Sequence, residues 1–330
     1  RPDVVHAHDW PSALAPVFLN TVEKSGFFAD TGSVLTIHNL AHQGIFPKEE
    51  IEHTQLEWEQ FHGAGLEFHD KINLLQAGLR NADVLTTVSP TYAEEIQTPE
   101  HGLALDGLLR HRSTDLFGVI NGMDYEAWNP ETDDHLPVNF SRRNLAGKAA
   151  CKKALQEVMG LQVNPEIPLY AMVTRLVEQK GIGALCGPTH GSLFNICDAY
   201  DLQFLVLGTG EQWCEDELEK LAGRLPNLSV ALEYNEPLAH LFIAGADFLL
   251  VPSAFEPCGL TQMYAMCFGT LPIVRRTGGL ADTVSSYDEK TGEGTGFVFD
   301  LLTPSAIQDT VGWALWAWYN RPEHIAAMQQ

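Results

Sequence analysis

Residues 247–262 read Asp247-Phe-Leu-Leu-Val-Pro-Ser-Ala-Phe-Glu256-Pro-Cys-Gly-Leu-Thr-Gln262. Asp247 to Pro252 is a short apolar run of the kind buried in parallel sheets. A helix is predicted from near Thr261 through Met263-Tyr-Ala-Met-Cys-Phe268, with its stop at Gly269. The turn between them carries one carboxylate, Glu256. Gly259 lets the backbone approach a ligand, and the first amides of the helix, over 259–262, lack intrahelical acceptors and suit an anion. An acid beside an anion cradle, at the carboxyl end of a strand, is where open α/β sheets place chemistry. A plain connection with a solvated Glu reads equally well from this segment alone.

The same strand-then-helix pattern recurs on both sides of it. Strands are predicted at Asp3–His8, Ser33–His38, Asp83–Ser89 and Phe117–Asn121, then at 169–174, 203–207, 229–232, 247–251 and 271–274. Asp9-Trp10-Pro11 reads as a turn before the apolar stretch 12–19, and Ser89-Pro90 starts a helix with Pro in its first turn. Residues 121–168 are richer in Pro, Asn and Asp, apart from a helix near 146–159 closed by Gly160, and read as a hinge region. The tail Val311-Gly-Trp-Ala-Leu-Trp-Ala-Trp-Tyr319 reads as a short apolar helix. Regular alternation of this kind implies an α/β protein with doubly wound parallel sheets, and 330 residues imply two domains.

The net charge of −23, from 20 basic and 43 acidic residues, argues against nucleic-acid and anionic-membrane partners. It also means that a phosphate ligand must be met by a few local cations and backbone donors. Six cysteines without a CxxC pair suit reduced thiols better than a disulfide framework. No apolar run approaches a membrane span and no signal peptide is visible. The chain opens Arg1-Pro2-Asp3, without Met and almost at once in a strand, and reads as a fragment of a sheet begun upstream.

Four further constellations lie at predicted strand ends. Thr174-Arg175-Leu-Val-Glu-Gln-Lys180-Gly181 sets two cations five residues apart after a strand. Such a pair can hold a diphosphate and offset the charge that builds as it leaves, or it can line a solvated loop. Leu205-Val-Leu-Gly208-Thr-Gly210 runs a strand into a Gly-rich turn, a phosphate signal short of the full dinucleotide fingerprint. Tyr234 could stack on a base or simply pack. Arg275-Arg276-Thr277-Gly278-Gly279 could add cations and donors beneath the same site.

The first half offers His6-Ala-His8-Asp9 and His38-Asn39. Alternate strand positions point the same way, so His6 and His8 could share a metal, as in a metal-dependent hydrolase. No later His and Asp ligands complete such a set in an obvious order. His38 could instead donate to a sugar hydroxyl, and His6 reads best as a structural residue.

Taken together, His6-Ala-His8-Asp9-Trp10, Ile37-His-Asn-Leu-Ala41, Val119-Ile-Asn121-Gly-Met-Asp124, Arg175–Gly181, Pro252–Gln262 and Arg275–Leu280 resemble the bacterial glycogen synthase and plant starch synthase family, in the family's order and across nearly the whole chain. The resemblance implies two Rossmann-like domains facing across a cleft, the GT-B arrangement. These would be an incomplete acceptor-side domain over 1–120 and a nucleotide-sugar domain over 121–330. It implies transfer of glucose from ADP-glucose to the non-reducing end of an α-1,4-glucan with retention, with no metal or other cofactor. UDP-glucose stays open as donor. The location implied is the bacterial cytoplasm, or the plastid of a plant or alga.

Carried over by position, Arg175 and Lys180 would bind the diphosphate, and Glu256 would sit beside the glucose and stabilise the transition state. Cys258, Gly259, Leu260 and Thr261 would offer amides, with Gly208 and Gly210 beside the nucleotide. Tyr234 would stack on adenine, His38 would bond the glucose 6-hydroxyl, Asn121 would contact the sugar, and Asp9 would line the acceptor side. The favoured route is same-face attack with the leaving phosphate as proton acceptor; Glu256 as a covalent nucleophile is the alternative. The family's Lys-Thr-Gly-Gly-Leu loop would precede Arg1 and its closing segment would follow Gln330, so this chain by itself is expected to bind donor poorly or to be inactive. A non-catalytic glucan- or nucleotide-binding remnant is the other reading. Position 254 is Ala where the family carries Arg, and Tyr264 stands where wider relatives place a second Glu.

Overall fold

Apolar strands followed by helices build two units, Arg1–Asn121 and Gly122–Gln330. The structure, a computed structural model, describes residues 1–63, 65–187 and 191–330. Among them no helix is long and apolar enough to cross a membrane.

The strands of unit 1 are β1 (Val4–His8), β2 (Gly32–Ile37), β3 (Ile45–Pro47), β4 (Glu67–Phe68), β5 (Lys71–Asn73), β6 (Val84–Thr87) and β7 (Leu116–Gly118). β1, β2, β6 and β7 form a parallel sheet in that order, with His8 opposite Thr36 and Ile37 opposite Thr87. Ala7, Leu35, Ile37 and Leu85 bury one face of it against Leu75 and Leu79 of the helix Leu74–Asn81 and against Tyr92 and Ile96. The opposite face leaves Val4 55% and Phe117 52% exposed. Ser89 caps the helix Pro90–Glu95 by accepting the Tyr92 amide at 2.8 Å, as Ser-Pro predicts. The Asp9–Pro11 turn is instead the start of a four-residue helix, Asp9–Ser12. β3, β5 and β4 make a small antiparallel sheet that the sequence did not announce, because strands of two or three residues carry no readable period.

Unit 2 contains β8 (Leu169–Val173), β9 (Gln203–Leu207), β10 (Leu228–Ala231), β11 (Phe248–Val251), β12 (Leu271–Arg275) and β13 (Phe297–Phe299), all paired in parallel in the order β10-β9-β8-β11-β12-β13. Alternate residues feed two cores. Tyr170, Met172, Phe204, Val206, Phe248 and Leu250 face one, and Leu169, Ala171, Leu205, Leu207, Leu249 and Val251 face the other. A sheet buried on both faces explains why these strands read as continuous apolar runs. The tail helix is longer than predicted, Pro304–Asn320, because Thr303 caps it by accepting the Ala306 amide at 3.2 Å.

The stretch 121–168, expected to be a hinge, is over much of its length part of the unit 2 core. Trp128 is stacked between His240, at 3.7 Å between ring centroids, and Tyr264, at 4.1 Å. Asp133 holds buried His240 at 2.7 Å. Phe140, Cys151 and Leu155 join the same core. The helix Ala146–Val158 also buries two lysines that sequence reasoning would leave on the surface. Lys152 Nζ lies 2.8 Å from Asp247, whose carboxylate accepts the Leu169 amide at 2.8 Å. Lys148 Nζ donates to the Ala244 carbonyl at 2.9 Å and to Thr270 Oγ1 at 2.5 Å.

Burial pushes Lys148 down to about 7, with Asp247 and Cys151 opposing and Lys152 adding to the shift. An unfolded lysine keeps its proton up to its ordinary value of 10.5, so between about 7 and 10.5 the unfolded chain binds the extra proton. Stability from this group therefore rises with pH across that window, at up to about 1.4 kcal/mol per pH unit, and is lowest where the buried amine must carry charge. Replacing Lys148 by Met should flatten this part of the curve. Denaturation midpoints of both proteins from pH 6.5 to 9.5 measure the difference; parallel curves would show that Lys148 is charged in the fold.

Candidate active site

In unit 2 the chain reverses its direction across the sheet between β8 and β11, and ligands of open α/β sheets bind outside the carboxyl ends at that point. The loops leaving these two strands are laced together. The Gln179 carbonyl accepts the Ala254 amide at 2.8 Å, and the Gln179 side-chain amide donates to the Phe255 carbonyl at 3.3 Å. Gly181 has φ +74°, and a Cβ there would collide with the Pro252 carbonyl. This close approach sets Lys180 Nζ 2.5 Å from Glu256 Oε2, which also accepts from Ser253 Oγ at 2.8 Å. Glu256 is 7% exposed, so its charge is answered inside the protein rather than by bulk water.

Arg175, on the same loop, is exposed; its carbonyl accepts the Val177 amide at 3.0 Å, and its guanidinium makes no hydrogen bond or ion pair among the described residues. It lines a cavity of about 300 Å³ together with Gly208, Tyr234, Thr261, Trp128 and Tyr264. Lys180 and Glu256 are not part of that lining; each lies a few residues along the chain from a residue that is. Tyr234 is 86% exposed, its ring open to a partner. Gly208 and Gly210 have a structural reason of their own, since a Cβ at either would strike the Thr174 or Leu176 carbonyl where the β8 and β9 loops run side by side.

The turn at Cys258–Thr261 leads into the helix Thr261–Cys267. It is held from beneath by Gln262, fully buried, whose side-chain amide donates to the Cys258 carbonyl at 3.1 Å and the Gly259 carbonyl at 2.9 Å. Gly279 donates its amide to the Glu256 carbonyl at 3.0 Å. Arg275 donates to the Ala254 and Asp300 carbonyls, and Arg276 pairs with Asp300 at 2.8 Å, so both cations support loops rather than stand free. Ser253, Gln179 and Gln262 escaped sequence reasoning. Ser253 was legible, three residues before Glu256 in the same turn, but the roles of Gln179 and Gln262 depend on how the chain is folded back.

Unit 1 brings a second group together. Asp9, at φ +53°, accepts the His38 amide at 2.7 Å and the Asn39 amide at 3.4 Å. His8 Nδ1 lies 2.9 Å from His38 Nε2, and His6 Nε2 lies 2.7 Å from Thr36 Oγ1. Among the described residues no group of three or more His, Cys, Asp or Glu side chains has the geometry to hold a metal. Asn121 is half-buried at the end of unit 1.

Residues 1–111 match the family model described as the starch synthase catalytic domain, and residues 160–325 match that of group 1 glycosyl transferases. The chain is 53% identical over 328 residues to a glycogen synthase of Treponema denticola, covering 99% of this chain and 67% of that protein. The chain belongs to the glycogen and starch synthase family of glycosyltransferases. It is also 47% identical to glycogen synthase 1 of Geobacter metallireducens, covering 98% of this chain and 64% of that one. It thus spans about two thirds of the length of these curated relatives. Among solved structures, the catalytic domain of starch synthase IV from Arabidopsis thaliana, bound to ADP and acarbose, superimposes with a TM-score of 0.92 at 30% identity, covering all of this chain and 68% of that one. The parallel α/β architecture is that of GT-B glycosyltransferases, as the sequence implied. Membership of this family leaves the metal-dependent hydrolase reading of His6 and His8 without support.

Proposed function

We propose that the protein transfers glucose from ADP-glucose to the non-reducing end of an α-1,4-glucan, with retention of configuration and release of ADP. The observation that carries this reading is the Lys180–Glu256 pair at the reversal point of the unit 2 sheet, on the loops that also supply Arg175 and Thr261 to the cavity. A glycogen synthase relative and a starch synthase neighbour that holds ADP support the donor class.

In this reading Arg175 and Lys180 meet the diphosphate, the amides of Cys258, Gly259, Leu260 and Thr261 face glucose or phosphate, and Tyr234 stacks on the base with Gly208 and Gly210 beneath. Glu256 supports positive charge as it develops on the sugar. Asn121 and His38 hold the glucose, and Asp9 lines the acceptor side. The acceptor hydroxyl oxygen bonds to C1 as the C1–O bond to phosphate breaks on the same face. The hydroxyl proton passes to the departing phosphate oxygen, so no side chain need act as base. We place the reaction in the bacterial cytoplasm.

A transfer assay on the full-length protein tests this directly, offering ADP-glucose and UDP-glucose with a maltooligosaccharide. ADP release coupled to α-linked chain extension is expected, with ADP-glucose the better donor; turnover of neither sugar nucleotide would end the reading. Arg175 makes an additional prediction. Because its guanidinium has no partner to orphan among the described residues, its replacement by Ala should cost only the lost phosphate contact, about 10- to 100-fold in ADP affinity. Calorimetric titration with ADP measures it, and unchanged affinity removes Arg175 from the phosphate site.

A further inference from the structure

We propose that His8 is a positioning residue that fixes the ring orientation and tautomer of His38, and so sets how His38 engages the transferred sugar. The inference rests on the reading of His38 as the ligand of a sugar hydroxyl. β1 and β2 run parallel with His8 opposite Thr36, so His38, two residues further on, comes within reach of the His8 ring. Between His8 Nδ1 and His38 Nε2, 2.9 Å apart, only one hydrogen fits. One ring donates and the other accepts, which ties the tautomer of His38 to that of His8. Meanwhile the backbone of His38 is pinned by Asp9 Oδ1 at 2.7 Å, leaving ring rotation as the freedom that His8 removes.

His8 is itself held. The His6 ring lies against it at 4.2 Å between centroids, and His6 Nε2 is tied to Thr36 Oγ1, which is tied to Thr86 Oγ1 at 2.6 Å. The His8 ring thus lies between those of His6 and His38, the latter at 5.2 Å between centroids. Partial burial, then the neighbouring His8 and His38 rings, lower His6 from the ordinary imidazole value. A proton on each of His8 and His38 would set two hydrogens against one another and break the bond.

The test uses the full-length protein with His8→Phe, His8→Asn and His38→Ala. Phe keeps the ring against His6 but can neither donate nor accept; Asn keeps a polar atom near the position of Nδ1. His8→Phe is expected to lower kcat/KM for ADP-glucose about 10- to 100-fold. ADP affinity should stay unchanged, because ADP carries no glucose, and His8→Asn should recover most of the rate. Equal losses in Phe and Asn variants with a lowered Tm would reduce His8 to a structural residue and overturn the proposal. An impaired His38→Ala beside an unimpaired His8→Phe would overturn it while keeping the reading of His38. A fully active His38→Ala would remove that reading and this inference with it.

Discussion

Replacing Glu256 by alanine in the full-length protein is expected to lower glucosyl transfer at least about 10²- to 10³-fold while ADP binds within a few-fold of the native affinity. The expectation follows from where the carboxylate sits. It is 7% exposed, at the end of a buried strand, and is held by Lys180 at 2.5 Å and Ser253 at 2.8 Å. A charge fixed this way costs no reorganisation when positive charge appears on the sugar, which is what makes it effective. ADP lacks the sugar, so its affinity should report the phosphate and base contacts alone. Glu256→Gln separates charge from shape, since its carbonyl oxygen can still accept from Lys180 and Ser253; its rate should stay close to that of alanine. Initial rates and ADP titrations on both variants decide the matter. Substantial turnover in Glu256→Ala would take the catalytic role away from this residue.

Lys180→Met is expected to damage the protein twice. Removing one member of a largely buried ion pair strands the other, at a cost of about 3–5 kcal/mol, because the Glu256 carboxylate would be left with Ser253 as its only partner among the described residues. On the role proposed for Glu256, displacing its carboxylate should lower transfer by at least about 10²-fold. Adding Glu256→Gln to Lys180→Met should restore much of the lost stability, a coupling that a double-mutant cycle measures directly. ADP affinity distinguishes two roles for the same amine. Weaker binding supports a phosphate contact during the reaction, and unchanged binding together with lost stability confines Lys180 to holding Glu256.

Much of this was legible before any coordinates. The apolar runs at 169–173, 203–207, 248–251 and 271–275 could be read as buried strands because a sheet covered on both faces needs apolar residues at every position. Ser89-Pro90 marked a helix start through chemistry contained within four residues. The burial of Lys148 and Lys152 was not legible, since a lysine is hidden only when carbonyls, a hydroxyl and a carboxylate from distant segments converge on it. The family resemblance placed 128–155 in the second domain, but its packing into the unit 2 core was hidden from the composition, because the Trp128 stack and the Asp133–His240 bond link it to helices more than a hundred residues away.

For the site itself, the sequence by itself determined which loops are candidates to carry chemistry: Glu256 after one strand, Arg175 and Lys180 after another, and Gly208 and Gly210 after a third. Those are local signals, since apolar runs, turn glycines and charged residues at strand ends each act over a few neighbouring residues. Only the tertiary structure decided that Lys180 answers Glu256 while Arg175 stands open to the cavity. The pairing spans 76 residues of chain, and it exists because the order of the parallel strands sets β8 beside β11 and a missing side chain at Gly181 lets their loops touch. No pattern within either loop contains that adjacency.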